Sequence, residues 1–148
     1  MARFQFRLAT LLRLRELARD ERRTQLAEAQ RLIDQLQARS REIDTLLSDA
    51  QRLQAPPAGA IDVDRLLNAT RYELVLRAEQ RALELQEVSL AGEVEKRRQA
   101  LVAANRDVRS LELLREKQQE RHSAEEDKQS HKELDEIAIR RYAGEGPE

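Results

Sequence analysis

The chain has 148 residues, of which 37% are charged and 3% aromatic, with four Gly, three Pro and no Cys. Four aromatics, Phe4, Phe6, Tyr72 and Tyr142, are too few for a thick globular core, and the absence of cysteine excludes disulfides, thiolate zinc sites and cysteine nucleophiles. The abundant Ala, Glu, Leu, Arg and Gln belong to long helices, and no apolar run is long enough to span a bilayer.

The first element predicted is a helix over about residues 3–54. Arg3, Arg7, Arg13 and Arg15 precede any acid, as in an organellar transit peptide, but the apolar spacing continues past Glu16 and Asp20, so the segment reads as the start of a permanent helix. A heptad register runs through Phe4, Leu8, Leu11, Arg15, Ala18, Arg22, Gln25, Ala29, Leu32, Leu36, Arg39, Ile43, Leu46, Ala50 and Leu53. Eleven of those fifteen positions are apolar, and alternating spacings of three and four keep one narrow stripe facing a partner helix. Arg15 and Arg22 occupy that stripe either by snorkelling their stems or because the end bearing the termini splays toward another partner.

A break follows at Ala55-Pro56-Pro57-Ala58-Gly59-Ala60, since proline removes a helical donor and clashes with the preceding turn. The turn is placed at about 55–61. Asp62 is the expected N-cap of the second helix, with Ile61 packing on Leu66 as a hydrophobic staple.

That second helix is expected over about 62–142, before a disordered tail at 143–148. Its seam is Leu66, Ala69, Glu73, Leu76, Gln80, Leu83, Glu87, Leu90, Val94, Arg97, Leu101, Ala104, Val108 and Leu111, ten of the fourteen apolar. In the same register, the positions from Arg115 to Ile139 contain one apolar residue, so the seam is expected to end near Leu114. Two seams of similar length on either side of one break predict an all-α fold: a long two-helix antiparallel coiled-coil hairpin, with the longer second helix overhanging the end that carries the termini. At about 1.5 Å per residue the paired part would be roughly 75 Å long. Residues 1–54 carry net +3 and residues 55–148 net −4, which together give the overall −1 and modestly favour closure of the pair.

In the overhang, Arg115 to Glu133 reads as a solvated or frayed helix, whereas Leu134, Ile137, Ala138, Ile139 and Tyr142 form an apolar group with nothing in the hairpin to cover it. That group reads as a docking site for another protein. Gly59, Gly92, Gly144 and Gly146 form no phosphate loop; His122 and His131 do not make a metal site; and acids interleave with the N-terminal arginines, against a nucleic-acid surface. A two-helix structure offers no dry cleft for acid and base catalysis. The residues therefore point to a non-enzyme without cofactor or metal that joins other proteins, with a generic structural coiled coil forming a homodimer as the alternative.

The ends of the chain resemble a family. Phe4-Gln5-Phe6-Arg7-Leu8-Ala9-Thr10-Leu11-Leu12-Arg13-Leu14-Arg15-Glu16 looks like the start, and Lys132-Glu133-Leu134-Asp135-Glu136-Ile137-Ala138-Ile139-Arg140-Arg141-Tyr142 like the C-terminal signature, of the flagellar export protein FliJ family. The length and the single mid-chain break are similar too. The resemblance implies a cytoplasmic component of the bacterial type III flagellar export apparatus, peripheral at the inner membrane and similar to the central stalk of rotary ATP synthases. Its implied partners are the hexameric export ATPase and its regulator, the export gate protein FlhA and export chaperones, with neither nucleic acid nor direct membrane insertion. Carried over by position, the ATPase-facing end would comprise Phe4, Phe6, Leu8, Leu11, Leu12 and Glu16 with Lys132, Leu134, Asp135, Glu136, Ile137 and Ala138. The gate-facing surface would comprise Tyr72 and Leu76, while the facing part of the first helix, around Asp44 to Asp49, lacks the aromatics of the family pattern.

Overall fold

A computed structural model describes residues 3–54, 59 and 62–146. The fold is all-α: helix α1, Ala9–Gln54, and helix α2, Val63–Gly144, pack against each other. The prolines Pro56 and Pro57, and Ile61 of the expected Ile61–Leu66 staple, lie outside the described residues. Asp62 caps α2, its Oδ1 accepting from the amides of Asp64 (3.1 Å) and Arg65 (3.4 Å), which satisfies two of the donors a helix start leaves open.

Helix α1 begins later than the sequence suggested, because residues 3–6 are not helical. No Ser, Thr, Asp or Asn stands just ahead of Ala9, its first turn has no acid, and Arg3 and Arg7 lie near the positive end of the helix dipole. The turn is instead closed by the Ala9 amide donating to the Phe6 carbonyl at 3.1 Å. At the far end of α2 the helix continues to Gly144, beyond the expected limit at residue 142, and the Glu145 amide donates to the Arg141 carbonyl.

The chain packs as two compact units: Asp20–Val102, and Met1–Arg19 with Ala103–Glu148. In the Asp20–Val102 unit the helices are antiparallel, as the cross-helix pairs show: Gln54 with Glu73, Asp44 with Gln80, Gln37 with Glu87, and Gln25 with Arg97. Its densest packing joins Ile43, fully buried, to Leu47 and Leu76, flanked by Leu46 and Leu83. Burying side chains of this size contributes about 1.5–3 kcal/mol each.

The seam of α2 matches the expected register at every position from Ala69 to Leu111: each is buried or half-buried. The seam of α1 does not. Gln25, Ala29, Leu36, Ile43, Leu46 and Ala50 face inward as expected, with Leu26 and Leu47 beside Gln25 and Leu46, but elsewhere the stripe is one residue further on, at Leu12, Arg19, Ile33, Ser40 and Gln54. The adjacent apolar pairs Leu11-Leu12, Leu32-Ile33 and Leu46-Leu47 allow either alternation of three and four. The observed choice turns Arg39 to the flank, where its Nε donates to Glu79 at 2.8 Å and its Nη1 to Glu42 at 3.0 Å, and leaves the small Ser40 inside. These bonds raise the Arg39 pKa, Glu79 first and Glu42 second.

The polar positions of the α2 seam are all bridged to α1. Gln54 Nε2 donates to Glu73 (3.5 Å), Gln80 Nε2 to Asp44 Oδ1 (2.6 Å), Gln37 Nε2 to Glu87 (2.8 Å), and Arg97 Nη1 to the Gln25 carbonyl (2.6 Å). Glu73 also accepts two bonds from Arg77, and these, ahead of the Gln54 bond, hold its carboxyl below the usual carboxylate range. Among the described residues no buried side-chain polar atom lacks a partner.

Candidate partner-binding surfaces

In the unit formed by Met1–Arg19 and Ala103–Glu148 the two helices are again antiparallel, with Arg15 ion-paired to Asp107 at 3.6 Å and Leu12 and Val108 buried. Arg15 is half exposed, so its stem flanks the seam and its charge is answered by an exposed pair worth under about 1 kcal/mol. The N-terminal lead extends the pairing: the Phe4 ring meets the His122 ring at 5.6 Å and a 59° tilt. Gln118, His122 and Glu126 are accordingly half-buried, so α2 remains covered beyond Leu114, where the seam was expected to end. From residue 127 to residue 146 every side chain is exposed.

The structure separates the expected ATPase-facing residues into two surfaces. Phe6, Leu12 and Glu16 line an open cleft with Ala9, Arg13 and Arg115. Leu8 and Leu11 are 37% and 38% exposed, whereas Leu12, at 4%, holds the helix pair and offers almost no surface. The second surface lies on the exposed segment of α2. Leu134, Ile137 and Ala138 share one side of the helix, by their spacings of three and four, and Lys132, Asp135 and Glu136 stand around them. Leu134 is 62% exposed and Tyr142 86%. Lys132 lies ten residues beyond His122, about 15 Å along the helix, and among the described residues no hydrogen bond or ion pair joins residues 3–16 to residues 132–142.

Of the two expected gate-facing residues, Tyr72 is exposed and Leu76 is in the core cluster. Leu76 therefore packs in the core and, unlike Tyr72, offers almost no surface to a partner. Reading the sequence alone did not reveal His122 as the platform for Phe4. The available signal was its place in the continued α2 register, where a flat, half-buried ring suits an aromatic partner.

Neither surface resembles a reaction centre. The cleft at the N-terminal lead is open, the other surface is convex, and among the described residues no three His, Cys, Asp or Glu side chains are grouped to hold a metal. Two helices packed along an apolar seam, with further apolar side chains exposed on α2, define an all-α protein of the coiled-coil class. Residues 4–147 match the family described as FliJ, the flagellar FliJ protein. The chain belongs to the FliJ family, non-catalytic components of the flagellar export apparatus. No curated protein and no solved structure matches it. Among the described residues no helix is long and apolar enough to cross a membrane.

Proposed function

We propose that this chain acts as a central-stalk-like coiled coil that binds and stimulates the hexameric flagellar export ATPase at the cytoplasmic face of the inner membrane. The same protein links the ATPase and its regulator to the gate protein FlhA and to export chaperones. The observation that carries this reading is the apolar group Leu134, Ile137 and Ala138 on a helical segment with no intramolecular cover. Exposed leucine and isoleucine at helical spacing dock into an apolar groove, and the surrounding Lys132, Asp135 and Glu136 orient the contact. The cleft lined by Phe6 and Glu16, with the exposed Leu8 and Leu11, supplies a second contact, and Tyr72 the contact to the gate.

The test is the turnover of the flagellar export ATPase from the same organism, titrated with the full chain and with the Leu134→Asp, Ile137→Asp double variant. Stimulation by the full chain that is reduced at least tenfold in the variant supports the reading. Equal stimulation by both overturns the assignment of the C-terminal surface, and no stimulation by either overturns the stalk role. Pull-down of FlhA by the chain and by Tyr72→Ala tests the gate contact, which fails if both retain it equally.

A further inference from the structure

Helix α2 has a second apolar stripe on its back. Leu67 and Leu85 are each nine residues from the buried Leu76, half a turn around the helix at about 100° per residue. Between them Leu74 and Ala78 occupy the same outward side, and Leu67, Leu74 and Leu85 are 49%, 62% and 75% exposed. The back of α1 in the same Asp20–Val102 unit is unlike it. From Ala27 to Asp49 its outward positions are Glu, Gln, Arg, Asp, Ala, Thr and Ser, the ordinary solvated face of an amphipathic helix, with Leu32 the one large apolar residue on its flank.

The stripe has the pattern of a seam. Leu67, Leu74 and Arg81 are spaced by seven, as are Arg71, Ala78 and Leu85, so two heptad rows run side by side. Leu67 to Leu85 spans about 27 Å, the length over which a docking helix makes several turns of contact, and the small Ala78 at its centre allows close approach. Arg71 and Arg81 sit within these rows, exposed, and neither has a hydrogen bond or ion pair among the described residues. A second copy of the same stripe is a poor occupant. Parallel pairing in register sets each arginine against itself, and antiparallel pairing about the centre sets Arg71 against Arg81, so both place like charges together at the contact.

We propose that the back of α2, formed by Leu67, Leu74, Ala78 and Leu85, is the docking surface for an amphipathic helix of another protein whose carboxylates face Arg71 and Arg81. The two arginines are ten residues apart, so the partner helix carries acids about 15 Å apart beside its apolar row. This surface does not depend on the stalk reading, which concerns other residues.

The test places a photoreactive benzoylphenylalanine at position 78 of the full chain in cells that make it, with one at Arg41 on the solvated back of α1 as control. The expected product is a cross-link to a segment of another protein with an apolar heptad row and acids nine to eleven residues apart. Its yield should fall at least tenfold in Leu74→Glu, Leu85→Glu and in Arg71→Glu, Arg81→Glu; both variants change exposed side chains and should keep wild-type helicity by circular dichroism. Four results overturn the proposal: a yield no greater than at Arg41, a cross-link to a second copy of this chain, a partner segment without acids, or a yield indifferent to reversal of the two arginines. Sedimentation of the purified chain adds an independent check. A single-chain mass, the same in Leu74→Glu, agrees with an external partner, and a two-chain mass reduced to one by Leu74→Glu overturns it.

Discussion

Two stretches of α2, residues 69–111 and 127–144, are both helical and both rich in charge, yet they stand on different physical footings. The first lays an unbroken inward row against α1 and has each polar member of that row bridged across. The second has every side chain exposed and rests on backbone hydrogen bonds and helix propensity alone, which are marginal in water for a segment of this length. The contrast separates two settings along a single helix: where it is paired, its apolar residues hold the fold, and where it is unpaired, they stand exposed.

The largest expected effect lies in the paired stretch. Ile43→Ala empties the most buried position and should lower stability by about 2–5 kcal/mol in urea melts, while Leu134→Ala in the exposed stretch should change it by less than about 0.5 kcal/mol. Equal effects of the two would abolish the distinction. Asp62→Ala removes the cap of α2 and should cost about 1 kcal/mol by the same measurement.

A smaller effect is expected from the bridges. Gln80→Ala and Asp44→Ala should each cost about 0.5–1.5 kcal/mol, and the double variant should cost less than their sum, because both remove one bond. Strict additivity in the cycle would show that the bond contributes nothing. The smallest effect concerns acid. The Glu73 carboxyl has its pKa lowered in the fold, so its contribution is present above the ordinary carboxylate pKa and is lost as pH falls through the lowered value. The difference in melting temperature between the wild type and Glu73→Gln should therefore shrink between about pH 6 and about pH 3. A constant difference would mean that the Glu73 carboxyl ionises in the fold as it does in the unfolded chain.

These regions were unevenly legible in the sequence. The α2 seam could be read residue by residue because isolated members such as Val94 and Val108 stand between polar neighbours and fix the register through runs such as Leu74-Val75-Leu76. In α1, doublets such as Leu46-Leu47 leave two alternations open, and the choice between them is made by what α2 presents opposite Arg39 and Ser40. Phe4 was expected on the helix and instead stands on the non-helical lead, where its ring meets His122 more than a hundred residues away. The family was visible at the two ends, where short apolar and acidic runs recur. The back of α2 escaped notice because a search for one stripe per helix assigns every other leucine to the surface.

The four bridges between α1 and α2 also bear on sliding. Two helices joined only by leucine and alanine rows can shift past each other by seven residues and find an equivalent fit, so such a pair resists shear poorly. Here a shift of that size parts Gln80 from Asp44, Glu87 from Gln37, Glu73 from Gln54 and Arg97 from the Gln25 carbonyl in a single step. The half-buried amides of Gln37 and Gln80 and the carboxylate of Glu87 would then lose these partners together. The Asp20–Val102 unit is thus pinned along its own axis and transmits a push or a twist applied to one helix directly to the other.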